Sequence, residues 1–430
     1  MKTLIRNVRL CDPDGEPVSI VVEDGVIRVI REIGHVGPWA GLEFDGHGLT
    51  AIPGLVDVHV HFREPGFEYK ETVATGSAAA AAGGFTTVCT MPNLKPAPDS
   101  MPNLRRQLDA IDRGARIEVL PYATITRGRI GKEPVDYPEL APYVCAFSDD
   151  GSGIESEDVM RRAMKGIART GKVLAEHCEV MELVRGGCIH DGGYAREHGL
   201  PGICSESEWR EVKRNIRLAE ETGCRLHICH VSTKESVRLI RDAKARGVDV
   251  TAETGAHYLV FTDADLQDEG RFKMNPPLRA ADDRDELIRG IQDGSIDCIA
   301  SDHAPHSAEE KSKGLLKSAM GVTGIELSLP AVYTYAVRTG QISFSRMIEL
   351  MAGNPRHIFG IKGGLEPGQR ADFTLVDFNT PFTVEPDRLV SMGHATPFAG
   401  LELYGKVMAT FFNGQSVFIN DDYYSESTES

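Results

Sequence analysis

The chain contains the segment Ala51-Ile-Pro-Gly-Leu-Val-Asp-Val-His-Val-His-Phe-Arg-Glu-Pro-Gly66, whose apolar centre predicts a short buried strand over Leu55–Val60. Side chains alternate faces along a strand, so Asp57, His59 and His61 are expected on one face and the intervening valines on the other. Two imidazoles on one face converge on a point, as a zinc-type ion requires. The alternative is a strand whose histidines only meet hydrogen-bond partners in the core. Ligand candidates elsewhere in the chain must decide between the two.

Length and composition limit the classes of protein that fit. The chain has 430 residues, 41% of them hydrophobic, enough for a large barrel with a small appendage. A formal charge of −16 argues against a nucleic-acid partner, which normally needs a basic surface. The nine cysteines are odd in number and contain no Cys-x-x-Cys, as is typical of reduced thiols in a cytoplasmic enzyme. With no signal peptide and no apolar run long enough to span a bilayer, we expect a soluble cytoplasmic protein without a membrane partner.

Both ends of the chain consist of short β-branched runs. Residues 1–52 predict strands joined by turns, with Asp24-Gly25 as a two-residue hairpin signal. Residues 363–420 return to this pattern around a second hairpin signal, Asn413-Gly414. We therefore expect the two ends to form one small β-sandwich, followed by a polar, frayed tail over residues 421–430.

Between these ends, residues 53–362 alternate between strand and helix. Helical patterns such as 101–113, 205–222 and 234–246 separate the strands. The predicted strands lie at residues 55–60, 85–90, 117–123, 143–147, 173–177, 225–230, 248–251 and 298–301. About eight such units predict an α/β fold of the (β/α)8 TIM-barrel type, with its active site at the carboxyl ends of the strands. A doubly wound sheet is the alternative, but the glycine-rich phosphate turn that it normally carries is missing from the sequence.

Possible metal ligands collect where these strands end. Any one of them alone is more often structural than catalytic. Six on the same barrel face indicate instead a pair of metals that share a carboxylate and activate a water molecule. The four histidines and two aspartates come from His59, His61, Ser148-Asp149-Asp150-Gly151, His177, His230 and Ser301-Asp302.

At this level of detail the chain resembles the bacterial type I dihydroorotases of the cyclic amidohydrolase superfamily. The similarity runs nearly end to end. The motif at residues 57–66 occurs throughout the superfamily, whereas the motifs at residues 274–279 and 301–306 are more selective for dihydroorotases. The motifs are Asp57-Val-His-Val-His-Phe-Arg-Glu-Pro-Gly66, Met91-Pro-Asn93, Phe147-Ser-Asp-Asp-Gly151, Glu176-His-Cys-Glu179, His230-Val-Ser-Thr233, Met274-Asn-Pro-Pro-Leu-Arg279 and Ser301-Asp-His-Ala-Pro-His306.

The resemblance implies two Zn²⁺ ions and a role for each ligand. His59 and His61 would bind the first ion, and His177 and His230 the second. Asp302 would bind the first ion and act as general base and acid. Many superfamily members bridge the two ions with a carboxylated lysine, which is absent from this position. Asp150 would bridge them instead, with the adjacent Asp149 as the competing candidate.

The resemblance also implies a substrate and contacts to it. The substrate would be dihydroorotate, hydrolysed reversibly to N-carbamoyl-L-aspartate in pyrimidine synthesis by a metal-activated hydroxide. Arg63 offers a fork that pairs with the substrate carboxylate. Main-chain groups near Gly321 would touch the ring, under a mobile lid at residues 308–314. The full set of predicted substrate contacts is Arg63, Asn93, Asn275, His306 and Gly321.

Two other functions stay open at this stage. An allantoinase or hydantoinase would keep the metals and change the pocket. A catalytically dead dihydroorotase-like subunit would only scaffold aspartate carbamoyltransferase, but such a subunit is expected to have lost ligands. The family also implies a homodimer and association with aspartate carbamoyltransferase.

Overall fold

The computed structural model describes residues 2–32, 39 and 41–425. Strands from both chain ends hydrogen-bond into one mixed eight-stranded sheet, in the order β20-β19-β16-β5-β1-β2-β3 with β4 paired to β1. The N-terminal strands are β1 Lys2–Leu10, β2 Pro17–Glu23, β3 Val26–Glu32, β4 Leu42–Asp45 and β5 Thr50–Pro53.

The middle of the chain forms a barrel of eight parallel strands in the order in which they occur in the sequence. An isolated bridge between Val60 and His303, with His61 N donating to His303 O at 2.8 Å, joins the last strand region to the first. The barrel strands are β6 Leu55–Val60, β7 Phe85–Thr90, β8 Glu118–Ala123, β9 Ala146–Phe147, β10 Val173–Glu176, β13 Leu226–Ile228, β14 Val250–Gly255 and β15 Cys298–Ala300. A small parallel pair, β11 Ile189–His190 and β12 Gly202–Ile203, lies in the loop after β10. The predicted (β/α)8 fold is confirmed.

The C-terminal strands complete the chain-end sheet and add a short antiparallel pair, β17 with β18. Asn413 and Gly414 both have positive φ and form the hairpin turn between β19 and β20, as the sequence predicts. The strands are β16 Phe373–Asp377, β17 Phe382–Thr383, β18 Glu402–Leu403, β19 Lys406–Phe412 and β20 Gln415–Ile419. Of the predicted polar tail, Asp422–Ser425 forms a short helix, and residues 426–430 lie outside the described residues.

Helices cover the outside of the barrel and its loops. Among the described residues, no helix combines the length and apolar character that crossing a bilayer requires. The α-helices are α1 Val73–Ala82, α2 Met101–Gly114, α3 Tyr137–Leu140, α4 Glu157–Ala168, α5 Met181–Val184, α6 Gly193–His198, α7 Glu206–Thr222, α8 Lys234–Ala245, α9 Ala256–Val260, α10 Ala281–Asp293, α11 Ala308–Lys311, α12 Gly314–Lys317, α13 Ser328–Val332, α14 Phe344–Ile348, α15 Asn354–Phe359 and α16 Asp422–Ser425. Helices α13 and α14 continue into the π-helical turns Tyr333–Val337 and Glu349–Gly353.

Two details differ from the sequence-based expectation. The fourth barrel strand is only Ala146–Phe147, because Pro142 starts a 3₁₀ turn that takes up Tyr143. In the pairing of β6 with β7, Asp57 lies opposite Val88 and Val60 lies opposite Thr90. β6 therefore contains one more residue than β7 between these two pairs. This bulge interrupts the simple alternation of side chains at the position of His59.

The apolar residues form separate cores. Residues of six of the barrel strands, together with Ile358 and Ile361, form a cluster inside the barrel that includes Val56 and Val58. A larger cluster packs the outer face of the strands against the helices. The chain-end sheet has a third core of its own, which contains residues from both ends of the chain. All nine cysteines are unpaired, as expected for reduced thiols.

Arg370 connects the chain-end sheet to the barrel. Its Nη1 and Nη2 donate to the two carboxylate oxygens of Glu118 on β8, at 3.2 and 2.8 Å. Its Nε donates to Asp372 Oδ2 at 2.7 Å. Such a two-pronged, charge-assisted pair is stronger than an ordinary surface ion pair.

We expect the substitution Arg370→Met to destabilise the protein by about 2 kcal/mol, because Glu118 and Asp372 both lose their charged donor. This lowers the thermal unfolding midpoint by about 2–4 °C, measurable by differential scanning fluorimetry. The matched control is Arg28→Met on β3, whose side chain is 52% exposed and whose Nε lies 3.8 Å from Glu23 Oε2. Equal midpoints for the two variants would contradict the proposed role of Arg370.

Candidate metal centre and active site

Six side chains from five barrel strands converge on one buried pocket. His59 and His61 come from the end of β6, and His177 follows β10. His230 follows β13, Asp302 follows β15, and the sixth residue, Asp150, follows β9. Asp302 Oδ1 lies 3.6 Å from His59 Nε2 and 3.3 Å from His61 Nε2. His177 Nδ1 lies 2.9 Å from His230 Nε2. The six residues predicted as metal ligands therefore lie together.

Asp150 lies between the histidines and faces them with both oxygens. Its Oδ1 is 3.5 Å from His59 Nε2, 3.5 Å from His230 Nε2 and 3.7 Å from His177 Nδ1. Its Oδ2 is 3.7 Å from His61 Nε2. One carboxylate thus contacts both halves of the pocket, which is the arrangement that a bridging ligand needs.

The competing candidate, Asp149, is held by another part of the chain. Its Oδ1 accepts hydrogen bonds from Ile125 N at 2.8 Å and Thr126 N at 3.1 Å, and its Oδ2 accepts from Thr126 Oγ1. These bonds tie Asp149 to the loop after β8. Asp149 therefore supports this loop, while Asp150 faces the pocket.

The pocket has the donor set and the unpartnered atoms that a divalent metal would require. Among the described residues, His59 Nε2 and Asp150 Oδ1 are buried without a hydrogen-bond partner. His59 Nδ1 lies 2.6 Å from a Glu253 oxygen, so in the neutral ring that metal binding requires, Nδ1 carries the proton and Nε2 has the lone pair. The groups His59/His61/Asp302 and His59/Asp150/His230 each bring their ligand atoms within 4.8 Å of one another. Imidazole and carboxylate donors of this kind fit a zinc-type ion.

Electrostatics in the pocket favour ionised carboxylates. Burial alone raises the pKa of Asp150, but His59 and His230 outweigh it and hold the pKa well below its ordinary value. Asp302 behaves in the same way, with His61 as its main partner, and its pKa is also lowered. Burial lowers the pKa of His61 to about 4, so this imidazole is neutral and able to act as a ligand.

Glu253 on β14 supports the pocket from inside the barrel, and sequence reasoning missed it. Its Oε1 accepts from His59 Nδ1, and its Oε2 lies 3.2 Å from His227 Nε2. His227 Nδ1 in turn lies 2.8 Å from Thr251 Oγ1. The chain of contacts runs from the barrel interior to a candidate ligand, as in many metal sites where a carboxylate orients a histidine. An acidic residue within a buried strand is the only signal in the sequence.

Arg63 and His306 lie side by side next to this pocket. Arg63 Nη2 is 3.3 Å from His306 Nε2, and Arg63 Nε donates to Pro305 O at 3.3 Å. His306 Nε2 donates to Met320 O at 2.8 Å, which leaves Nδ1 as an acceptor for Lys70 Nζ at 3.2 Å. Burial, Arg63 and Lys70 together lower the pKa of His306 to about 3. The imidazole is therefore neutral at physiological pH.

Lys70 is a second residue that sequence reasoning did not find. Besides His306 it contacts Glu310 at 2.9 Å, with only 12% of its side chain exposed. The contact joins the loop after β6 to helix α11. A lysine outside any recognisable motif gave no signal for this position.

Asn93 and Asn275 each present one amide atom without a partner. Asn93 Nδ2 donates to Asp150 O at 2.9 Å and Asp150 Oδ2 at 3.0 Å, and Asn275 Nδ2 donates to Glu179 Oε2 at 3.0 Å. Both Oδ1 atoms are buried without a hydrogen-bond partner among the described residues. Each amide therefore keeps an unused acceptor.

Gly321 lies beside His306, and its main-chain groups are already bonded. Its N donates to Lys273 O at 3.1 Å, and its O accepts from Lys311 Nζ at 2.6 Å. A Cβ at Gly321, which has φ +127°, would lie 2.7 Å from Ala304 atoms. The position requires glycine because of this close approach. Direct ring contact by Gly321 stays a prediction.

Helices α11 and α12 occupy the segment predicted as a lid. Lys311 is buried there, and its ammonium donates to the carbonyl oxygens of Lys273 and Ala319 at 3.0 and 2.8 Å, in addition to Gly321 O. The segment is thus anchored at the end of α11. Whether residues 308–314 move on binding stays a prediction.

Three predicted site residues are among the ten non-glycine residues with positive φ in the described part of the chain. Arg63, His230 and Asp302 have φ of 61°, 32° and 45°, in the left-handed region that non-glycine residues rarely adopt. Such conformations cost about 1 kcal/mol or more each and persist where surrounding contacts hold them. Their occurrence at three predicted site residues supports a functional role for this pocket.

Two other histidines lie nearby with different surroundings. His257 is buried, packs against Tyr258 in a tilted arrangement at a centroid distance of 4.0 Å, and its Nε2 has no hydrogen-bond partner among the described residues. His303 Nε2 is 3.6 Å from Glu71 Oε2. Neither histidine belongs to the predicted ligand set.

Comparison with known proteins decides the family. A family model described as dihydro-orotase-like matches residues 48–236. A dihydroorotase from Staphylococcus epidermidis is 45% identical over 377 residues, covering 87% of this chain and 89% of the relative. One from Enterococcus faecalis is 44% identical over 96% of this chain and 98% of its own length. The chain belongs to the dihydroorotase family.

Solved structures agree with this membership at the level of the superfamily. The L-hydantoinase (dihydropyrimidinase) from Arthrobacter aurescens superposes with a TM-score of 0.84 at 27% identity, covering 96% of this chain and 95% of the other. The dihydropyrimidinase from Brevibacillus agri has the same TM-score at 20% identity and shows the fold alone. Membership of the dihydroorotase family confirms the resemblance predicted from the motifs, and with it a cyclic amidohydrolase enzyme.

We expect Glu253→Ala to weaken metal binding by about 10–100-fold, because His59 loses the acceptor that orients its ring. Metal-free protein titrated with Zn²⁺ against a competing chelator measures this without any turnover. Glu253→Gln is the matched control, since its amide oxygen still accepts from His59 Nδ1, and it should recover much of the affinity. Wild-type affinity in the folded Glu253→Ala variant would show that His59 needs no such support.

Proposed function

We propose that the protein is a dihydroorotase that hydrolyses L-dihydroorotate reversibly to N-carbamoyl-L-aspartate in pyrimidine synthesis. The observation that carries the proposal is the partly buried Arg63–His306 pair beside the four-histidine, two-aspartate pocket, in a chain 45% identical to a dihydroorotase. The pocket supports hydrolysis, and the arginine supports a substrate with a carboxylate. These two features together distinguish a dihydroorotase from other cyclic amidases.

The pocket residues would hold two Zn²⁺ ions. One set comprises His59, His61 and Asp302, and the other His177 and His230, with Asp150 shared between them. Metal ions bound in such a site lower the pKa of a water molecule towards neutrality and polarise the carbonyl under attack. The fit rests on the unpartnered His59 Nε2 and Asp150 Oδ1 and on the burial of every donor.

Asp302 would move the proton. Because His61 and the neighbouring histidines keep its pKa below the ordinary value, the carboxylate is ionised at neutral pH and able to accept a proton. It would then deliver this proton to the leaving ring nitrogen. Its Oδ1 lies 3.3 Å from His61 Nε2.

Arg63 and its neighbours would bind the substrate carboxylate. The guanidinium is partly buried, and a charge-assisted pair with a carboxylate is stronger in such a site than in bulk water. His306 is neutral and is fixed by Met320 and Lys70, so it adds shape and a polar edge without adding charge. Asn93 and Asn275 would contribute their unused carbonyl oxygens as acceptors for ring N–H groups.

Hydantoinase or allantoinase activity is the second candidate, favoured by the close superposition on an L-hydantoinase. Hydantoin and allantoin carry no carboxylate, so Arg63 would have no carboxylate to bind. The scaffold alternative requires lost ligands, whereas all six candidate ligands are present in the pocket. A homodimer and association with aspartate carbamoyltransferase stay predictions.

The test of the proposed function is a substrate panel on the purified, Zn²⁺-loaded protein. Dihydroorotate, hydantoin, allantoin and dihydrouracil are compared by kcat/KM under the same conditions. We expect dihydroorotate to exceed each of the others by at least about 100-fold, because only it pairs with Arg63. A higher kcat/KM for hydantoin or allantoin would reject dihydroorotase in favour of the second candidate.

We expect Arg63→Ala to raise KM for dihydroorotate by about 10–100-fold while metal content is unchanged, because the substrate carboxylate loses its partner. Steady-state kinetics and metal analysis on the same preparation measure both. Arg127→Ala, an exposed arginine in the loop after β8, is the control for the loss of one positive charge. An unchanged KM in Arg63→Ala would mean that the carboxylate binds elsewhere.

A further inference from the structure

Glu179 contacts both His177 of the metal pocket and Asn275, a predicted substrate contact. It follows β10 in the loop that also carries His177, and only 11% of its side chain is exposed. Its Oε2 lies 3.2 Å from His177 Nε2 and 3.0 Å from Asn275 Nδ2. A single carboxylate oxygen therefore accepts hydrogen bonds from His177 and Asn275, which are far apart in the sequence.

The chemistry of a carboxylate fixes the orientation of the histidine. A carboxylate oxygen only accepts, so His177 Nε2 must carry the proton. In the neutral imidazole that metal binding requires, the lone pair is then on Nδ1, the atom that lies 2.9 Å from His230 Nε2 and 3.7 Å from Asp150 Oδ1. Glu179 thus selects the tautomer of His177 that can bind a metal.

The same argument fixes the amide of Asn275. Its NH₂ group must face Glu179, because two oxygens in this position would repel each other. The Oδ1 atom then points away from Glu179, and it is buried without a hydrogen-bond partner. A buried acceptor without a donor costs about 1–3 kcal/mol, which a ligand N–H can recover on binding.

We propose that Glu179 is a positioning residue that couples metal binding to substrate recognition, holding His177 Nδ1 towards the metal pocket and Asn275 Oδ1 towards an N–H group of the substrate. The proposal rests on the proposed function, since it assigns the unused acceptor to a cyclic amide that carries ring N–H groups. The Glu179–Asn275 pair would add a source of specificity that Arg63 does not provide. Arg63 would bind the substrate carboxylate, whereas Asn275, held by Glu179, would accept a hydrogen bond from the ring.

A double-mutant cycle tests this coupling on the Zn²⁺-loaded full-length protein, with Glu179→Ala, Asn275→Ala and the double variant. We expect Glu179→Ala to weaken Zn²⁺ binding by about tenfold in chelator competition. Both single substitutions raise KM for dihydroorotate by about tenfold with a smaller change in kcat. In the double variant the two KM effects do not multiply, because Asn275 has already lost its orientation.

Two further variants separate positioning from a merely structural role. Glu179→Gln keeps an oxygen that accepts from both donors, so Zn²⁺ affinity and KM should return to within about threefold of the wild type. Asn275→Asp places a second carboxylate against Glu179 and raises KM, and Glu179→Gln in that background should lower KM again because it removes the repulsion between the two negative charges. This pair also tests the proposal if Glu179→Ala does not fold. Glu182→Ala, an exposed neighbour in α5, controls for the loss of one charge and should change neither quantity.

The proposal is overturned if the wild type turns over dihydroorotate while Glu179→Ala binds Zn²⁺ as tightly as Glu182→Ala, or if the KM effects multiply in the double variant. It is also overturned if Glu179→Gln is as impaired as Glu179→Ala, or if it fails to lower KM in the Asn275→Asp background. Failure of the proposed function has a different signature, a wild type that binds Zn²⁺ but does not turn over dihydroorotate. The metal titration needs no turnover and so separates the two cases.

Discussion

The site depends on one buried carboxylate, Asp150, that four imidazoles surround. Moving a carboxylate out of water costs roughly several kcal/mol unless opposite charge or hydrogen bonds replace the lost hydration. Here Asn93 Nδ2 satisfies Oδ2 at 3.0 Å, whereas Oδ1 faces ring nitrogens 3.5–3.7 Å away and has no hydrogen-bond partner. Asp150 therefore lacks hydrogen bonds at Oδ1, whereas the atoms that could bind a cation are all in place around it. A divalent cation placed among these donors would offset the charge of Asp150 and Asp302 together.

That constraint explains the supporting residues around the pocket. A histidine that binds a metal through one nitrogen almost always donates a hydrogen bond from its other ring N–H to an acceptor. Glu253 provides this acceptor for His59, and Glu179 provides it for His177. The barrel supplies the two carboxylates from different places, β14 and the loop after β10. The parallel strands all end at one face, so contacts between strands far apart in sequence become short.

Much of the fold and of the candidate ligand set could be predicted because both depend on local patterns. The predicted strand Phe85–Thr90 has the same bounds in the structure, and the hairpin at Asn413-Gly414 forms as its sequence requires. The predicted ligands were found because histidines and aspartates follow apolar runs. The choice between Asp149 and Asp150 was different, since it depends on the N–H groups of Ile125 and Thr126, which belong to another loop.

The supporting residues could not be predicted for the same reason. Glu253 meets His59 across 194 residues, and Lys70 meets His306 across 236. No periodicity or motif connects such positions, and an isolated acid or lysine in the sequence is most often a surface residue. The bulge at His59 is a further case, because it arises from the pairing of β6 with β7 rather than from either strand alone.

The division of labour between barrel and loops also explains how one fold serves different substrates. The barrel superposes on an L-hydantoinase with a TM-score of 0.84 although only 27% of residues are identical. The groups that would read the substrate lie instead on loops, with Arg63 after β6, Asn275 after β14 and His306 after β15. Loops tolerate exchange better than strands do, but an exposed loop alone would place these groups too loosely. Here Lys311 and Lys70 hold the loop after β15, and Glu179 holds Asn275 against a candidate ligand. Substrate contacts can therefore change between relatives while their attachment to the metal pocket keeps them in position.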